Sequence, residues 1–153
     1  MSPLNILIVE APYYEHIAVE LRRGAVAALE AAGAKYRRFS VPGAFEIPAA
    51  IRLVMTAGER DANLRFDGYV ALGCVIRGET THYDYVCEES ARGLQDLALN
   101  HQLAIGFGIL TVEDEAQAVA RASIDRKNKG GEAARACLAM IELKRQLGLI
   151  TPV

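Results

Sequence analysis

Apolar positions along this chain recur with two alternating periods. Residues 4–9 form an apolar, partly β-branched run, unbroken over Ile6-Leu7-Ile8-Val9, the pattern of a buried strand. From about residue 15 to 32 the apolar positions fall at Ile17, Leu21, Ala25, Ala28, Leu29 and Ala32, a helical stripe closed by Gly33. Residues 35–41 read as a second strand, with Tyr36, Phe39 and Val41 set among basic residues. Pro42-Gly43 interrupts it, and residues 46–57 read as a short helix ended by Gly58, with Pro48 tolerated in the first turn.

The second half repeats the alternation. Asp67-Gly68 introduces a third strand at residues 69–72, followed by a glycine-bearing loop over residues 73–81. Residues 83–100 are helical, with Tyr83, Val86, Cys87, Ala91, Leu94, Leu97 and Ala98 on one face. A fourth strand spans residues 103–110. Thr111-Val112-Glu113-Asp114 resembles a capping box before a helix that runs to about residue 124. A basic turn at residues 125–131 leads to a last helix whose stripe is Ala134, Cys137, Leu138, Ile141 and Leu147. The order βαβαβαβαα predicts an α/β fold, a mainly parallel four-stranded sheet with helices on both faces and right-handed crossovers. In such sheets ligands sit beyond the carboxyl ends of the strands, near the switch in strand order. Residues 10–14, 42–46 and 74–82 each follow a strand, so all three gather at that edge.

Composition narrows the class. The 153 residues suit one domain over residues 1–153. Seventeen Lys+Arg against nineteen Asp+Glu leave a net charge of −2, so nothing draws the chain to nucleic acid or an anionic membrane. No apolar run approaches the ~20 residues of a membrane span, and the start lacks the pattern of a signal peptide. Cys74, Cys87 and Cys137 are odd in number and lack CxxC spacing, which indicates neither a disulfide framework nor a zinc site. The simplest reading is a soluble protein of the reducing cytoplasm.

The chemistry concentrates in residues 73–82. Gly78, Glu79, Thr80 and Thr81 precede a helix, where backbone N–H groups and the helix dipole favour an anion such as phosphate. The bland alternative is a capped helix start, with Thr81 and Asp84 as the capping pair. His82, in the first turn, is placed where the dipole favours the neutral ring, suited to moving protons beside a phosphate; a lone histidine is more often structural. His16 and His101 read as surface residues. Arg121, Arg126, Lys127 and Lys129 are either a solvated helix end or a phosphate clamp. Topology sets this turn apart from the chain's own third-strand loop, which opens the reading of a pocket shared with a neighbouring subunit. Cys74 lacks a local base and reads as a packed thiol rather than a nucleophile. No Walker loop, GxGxxG, HExxH or GxSxG is present, so an enzyme here has no obvious protein nucleophile.

Four stretches resemble the lumazine synthase family: Val41-Pro42-Gly43-Ala44-Phe45-Glu46-Ile47-Pro48, then Leu72-Gly73-Cys74-Val75-Ile76-Arg77-Gly78-Glu79-Thr80-Thr81-His82-Tyr83-Asp84, then Gly106-Phe107-Gly108-Ile109-Leu110-Thr111, and Asn128-Lys129-Gly130-Gly131. They occur in order, and the resemblance around them extends over residues 6–147. The resemblance implies a flavodoxin-like three-layer sandwich with strand order 2-1-3-4. It also implies the condensation of 5-amino-6-(ribitylamino)uracil with 3,4-dihydroxy-2-butanone 4-phosphate to 6,7-dimethyl-8-ribityllumazine, with phosphate and water released. Neither metal nor organic cofactor is implied, because the amine of one substrate attacks the ketone of the other. Carried over by position, Tyr13 would stack on the ring. Ala44, Phe45 and Glu46 would line the ribityl chain and ring, and Cys74, Val75 and Ile76 the pyrimidinedione edge. Glu79 and Thr80 would hold the phosphate, with His82 as general acid/base. A neighbouring subunit would supply Phe107 against the ring, Arg121 on the phosphate, Lys129 near the uracil carbonyls, and Glu132 to orient His82.

Two departures stand out. Pro12-Tyr13-Tyr14 replaces the family's common Arg-Phe-Asn-like triplet, and Cys74 stands where threonine is common. The triplet raises an alternative from the binding class, a paralogue that holds flavin or lumazine without turnover; His82, Arg121 and Lys129 argue against it. A doubly wound signalling module would need an acidic cluster after the first strand, and Glu10 alone does not supply one. Family members form pentamers, sometimes assembled twelve at a time into hollow capsids. Only Met1-Ser2-Pro3 precede the first strand, and Pro3 cannot donate a ladder bond, so a homopentamer is the expectation and the sixty-subunit shell stays open.

Overall fold

The computed structural model describes residues 2–150. Among them, strands and helices alternate as β1 Asn5–Glu10, α1 Glu15–Ala31, β2 Lys35–Ser40, α2 Ile47–Gly58, β3 Gly68–Ile76, α3 His82–His101, β4 Ile105–Val112, α4 Glu115–Ala122 and α5 Lys129–Gln146. The four strands are all parallel, in the order β2-β1-β3-β4. No helix among the described residues is long and apolar enough to cross a membrane.

The period-two pattern of the strands divides the core between two layers. Ile6 and Ile8 of β1, with Val70 and Leu72 of β3, pack against Ile17, Leu21 and Leu29 of α1 and Cys137 and Ile141 of α5. Leu7 and Val9, with Tyr69 and Ala71, turn to the other face and meet Ile47, Ile51 and Val54 of α2 and Leu94 and Leu97 of α3. Each such fully buried side chain contributes about 1.5–3 kcal/mol, so a one-residue slip of β1 would exchange both sets at once. The basic strand β2 belongs to the sheet through its pairing with β1, from Asn5↔Lys35 to Glu10↔Ser40. Most of its side chains are exposed, as an edge position allows.

Several boundaries differ from those the sequence suggests. The third strand runs on through Gly73, Cys74, Val75 and Ile76, because β4 pairs with it as far as Ile76↔Val112 and satisfies backbone groups that a loop would leave open. A 3-10 turn, Ala44–Glu46, leads into α2. Thr111 lies within β4, and Asp114 caps α4 instead, its carboxylate accepting from the Gln117 N–H at 2.8 Å while Gln117 Oε1 accepts from Glu113 N–H at 2.8 Å. That helix ends at Ala122. On α3 the fully buried positions are Ser90, Leu94 and Leu97, with Ala91 exposed; Leu147 lies outside α5 and is exposed. Lys129, Gly130 and Gly131 belong to the helix rather than to the turn before it, since the Asn128 side chain accepts from the Gly131 N–H at 3.2 Å.

Two glycines fix how the layers meet. Gly33, at φ +71°, closes α1 in a left-handed conformation; its N–H donates to Glu30 O and the Ala34 N–H to Leu29 O, which turns the chain into β2. Gly130 lets the start of α5 lie on the backbone of α1, because a Cβ there would stand 2.0 Å from the Leu21 carbonyl oxygen. Gly130→Ala should therefore push the two helices apart and lower stability by roughly 1–3 kcal/mol, read as a fall in the denaturant midpoint at unchanged slope.

Candidate active site

The carboxyl ends of β1 and β3 flank the point where strand order reverses, and a crevice of about 540 Å³ opens there. Tyr13 and Tyr14 come from the segment after β1. Pro42, Gly43, Ala44, Phe45 and Glu46 come from the turn after β2. Cys74, Val75 and Ile76 form the end of β3, and Gly78, Thr80, His82, Tyr83 and Val86 follow from the loop and first turns of α3. The three strand-end segments thus meet because parallel pairing leaves their ends at one edge. Tyr13 is 75% exposed and meets Tyr14 edge-on at 4.9 Å between ring centroids, while Phe45 is 55% exposed. Two uncovered aromatic rings beside an apolar strand end make a surface suited to a planar ligand.

The loop after β3 places Thr80 and His82 on the crevice wall. Thr80 Oγ1 lies 3.4 Å from the His82 N–H, and the Asp84 N–H donates to Thr81 O at 3.0 Å. Thr81 makes no side-chain cap, and Asp84 reaches Arg77 instead; the capping pair suggested by the sequence does not form. The start of α3, the positive end of its dipole, stands at the crevice wall, where it favours an anion. His82 is exposed and is the first residue of α3. Glu79 is also exposed but does not line the crevice.

Cys74 is buried, and desolvation, with a smaller contribution from Cys87, pushes its thiol up to about 11. Beneath the crevice, the 4%-exposed Glu10 ends β1 between two arginines, accepting from Arg22 Nε at 3.0 Å and Arg38 Nη1 at 3.3 Å, with Ser40 Oγ at 3.5 Å. That arrangement ties the end of β1 to α1 and β2, which makes Glu10 an anchor of the crevice floor.

Four residues expected at the site stand apart from this crevice within the chain. Phe107, on β4, borders a separate hollow of about 300 Å³ with Ala91, Leu94, Gln95, Ala98 and Ile105. Arg121 bends back on α4, Nη1 to the Gln117 carbonyl at 3.1 Å. Lys129 and Glu132 pair with each other at 2.9 Å. Tyr14, Tyr83 and Val86 line the crevice without having been singled out for it in the sequence. Adjacency to Tyr13 and His82 was the signal available for the first two, and a helical period from Tyr83 to Val86 for the third.

A parallel sheet of this order with a ligand-sized crevice at its switch point defines a flavodoxin-like α/β protein built to bind small molecules at its strand ends. The chain belongs to the 6,7-dimethyl-8-ribityllumazine synthase family, whose model matches residues 3–145. It is 52% identical over 146 residues to the 6,7-dimethyl-8-ribityllumazine synthase of Paramagnetospirillum magneticum, covering 95% of this chain and 97% of the relative. It is 56% identical over 149 residues to the protein of that name from Methylorubrum populi, covering 97% and 88%. To 6,7-dimethyl-8-ribityllumazine synthase 1 of Rhizobium meliloti it is 55% identical over 148 residues, covering 97% and 96%.

The raised Cys74 thiol yields a direct check. Pushed up to about 11 by burial, it stays protonated at pH 7.5. Iodoacetamide should leave Cys74 of the native protein unmodified at that pH, and peptide mass mapping should show its labelling rising with pH toward about 11.

Proposed function

We propose that this chain condenses 5-amino-6-(ribitylamino)uracil with 3,4-dihydroxy-2-butanone 4-phosphate to give 6,7-dimethyl-8-ribityllumazine, releasing phosphate and water, as a step of riboflavin biosynthesis. The observation that carries the reading is the meeting of Tyr13, Phe45, Glu46, the end of β3 and His82 in one crevice, in a chain whose family match runs nearly end to end. Tyr13 stacks on the pyrimidine ring, and Ala44, Phe45 and Glu46 line the ribityl chain and ring, with Glu46 accepting from the ribityl hydroxyls. Cys74, Val75 and Ile76 meet the pyrimidinedione edge. A thiol held protonated suits Cys74 to packing there rather than to attack. Glu79 and Thr80 hold the phosphate through backbone N–H groups and the Thr80 hydroxyl, before the start of α3, where the dipole favours an anion; the Glu79 carboxylate takes no part there.

The amine of one substrate attacks the carbonyl of the other, so the protein supplies orientation and protons. Orientation of two reactants is worth up to about 7–11 kcal/mol, and a positioned acid/base about 10²–10⁴-fold. His82 takes the second role, with an exposed ring at the crevice wall. Phe107, Arg121, Lys129 and Glu132 lie off the crevice of their own chain, which supports a site completed by a neighbouring copy: Phe107 on the ring, Arg121 on the phosphate, Lys129 near the uracil carbonyls and Glu132 beside His82. The reading requires a neighbouring copy, and a homopentamer, free or gathered into a sixty-subunit shell, is the assembly proposed, with no protein, nucleic-acid or membrane partner beyond its own copies. The three free cysteines suit a reducing cytoplasm.

Mixing both substrates with the purified protein should generate a product that absorbs and fluoresces as a lumazine. His82→Ala should lower kcat by about a hundredfold or more while the melting midpoint stays in place. Tight riboflavin binding without turnover by the unaltered protein would replace this reading with that of a binding paralogue, and a solution mass of one 16.6 kDa chain in a fully active sample would remove the shared site.

A further inference from the structure

We propose that Arg77 is a positioning residue: its guanidinium clamps the first turn of α3 to the end of β4 and thereby sets where Thr80 and His82 stand in the crevice. The inference rests on the catalytic reading of that crevice. Arg77 is the first residue after β3, and its backbone N–H donates to Val112 O at 2.9 Å. Its side chain reaches three further groups. Nε donates to Glu113 Oε2 at 2.7 Å, Nη1 lies 3.5 Å from Asp84 Oδ1, and Cζ sits 4.3 Å over the centre of the Tyr83 ring. The guanidinium therefore joins the first turn of α3 to Glu113, the residue after β4, while the Arg77 backbone is bonded to the last residue of β4, so both ends of residues 78–81 are tied to one place.

That loop has little of its own to hold it. Residues 78–81 are exposed, and a Cβ added to Gly78 would meet nothing within 4 Å. The internal bonds are the 3.4 Å approach of His82 N–H to Thr80 Oγ1 and the short-range turn from Asp84 N–H to Thr81 O. The ends decide the loop's course, and Arg77 fixes both ends. It is also already compensated by Glu113 and Asp84, so its charge is committed to protein carboxylates rather than offered to a phosphate. An exposed ion pair adds little to stability, but a fork that bonds two carboxylates while covering a ring constrains direction, which an ammonium cannot copy.

The test compares Arg77→Ala, Arg77→Lys, Glu113→Ala and the Arg77→Ala/Glu113→Ala pair in the full-length protein. Arg77→Ala should lower kcat by about ten- to a hundredfold through misplacement of His82, with KM for the butanone phosphate raised more than KM for the pyrimidine. Its melting midpoint should move by less than about 4 °C. Arg77→Lys should recover little, and the pair should lose no more than the worse single variant, because both remove one constraint. The imidazole cross-peaks of His82 in ¹H–¹⁵N spectra, which need no turnover, should shift in Arg77→Ala and in Glu113→Ala. Unshifted His82 signals with unchanged kcat and KM would overturn the proposal, as would additive losses in the pair. Shifted signals in a protein whose unaltered form never turns over would support the clamp and remove instead the catalytic reading beneath it.

Discussion

Parallel pairing of β3 between β1 and β4 is the constraint on which the rest of this molecule depends. A central parallel strand has its backbone bonded on both sides and its side chains buried on both faces, so only its ends are free to do chemistry. Because the neighbouring strands run the same way, the segments after β1, β2 and β3 arrive at the same edge. The reversal of strand order between β1 and β3 then parts the following segments and leaves a crevice between them. The buried Glu10, bonded to Arg22 and Arg38, and the Ala11 N–H, donating to Leu72 O at 2.9 Å, hold the floor of that crevice at its seam.

What gathers at the edge lacks an activated protein nucleophile. Cys74 is kept protonated by burial, and Glu10 is engaged by arginines. The remaining means are aromatic faces, a carboxylate, N–H groups at a helix start and one exposed imidazole. Such a set suits two substrates that react with each other while the protein holds them and moves protons. Tyr13 and Phe45 keep aromatic surface uncovered at this edge, open to a planar ligand.

The layered fold and the crevice-lining residues were largely legible in the sequence, for a physical reason. Strands buried on both faces must be apolar runs, helices packed on one face must carry a stripe, and residues directly after a strand must lie at its carboxyl edge. Tyr13, Phe45, Cys74 and His82 could be placed by that rule alone. What escaped depends on partners distant in sequence. Gly73 reads as a loop residue until Ile109 of β4 is known to pair beside it. Thr111 reads as a cap until β4 claims its backbone and Asp114 takes the role. Arg77 passes as one more residue of a motif until Glu113, 36 positions away, is found bonded to it. Phe107 and Glu132 came from family resemblance alone, and the basic turn with Arg121 and Lys129 showed a phosphate clamp only as one of two readings, since no spacing connects any of the four to the crevice.

The shared site proposed above needs one copy to contribute the crevice with His82 and its neighbour to contribute Arg121. Two variants, His82→Ala and Arg121→Ala, each inactive alone, can be unfolded together in equal amounts, refolded and assayed. A head-to-tail interface gives about a quarter of the sites both native residues, so the mixture should recover about a quarter of full activity. A mixture as inactive as either variant, in an assembly shown by mass to contain both, would contradict it.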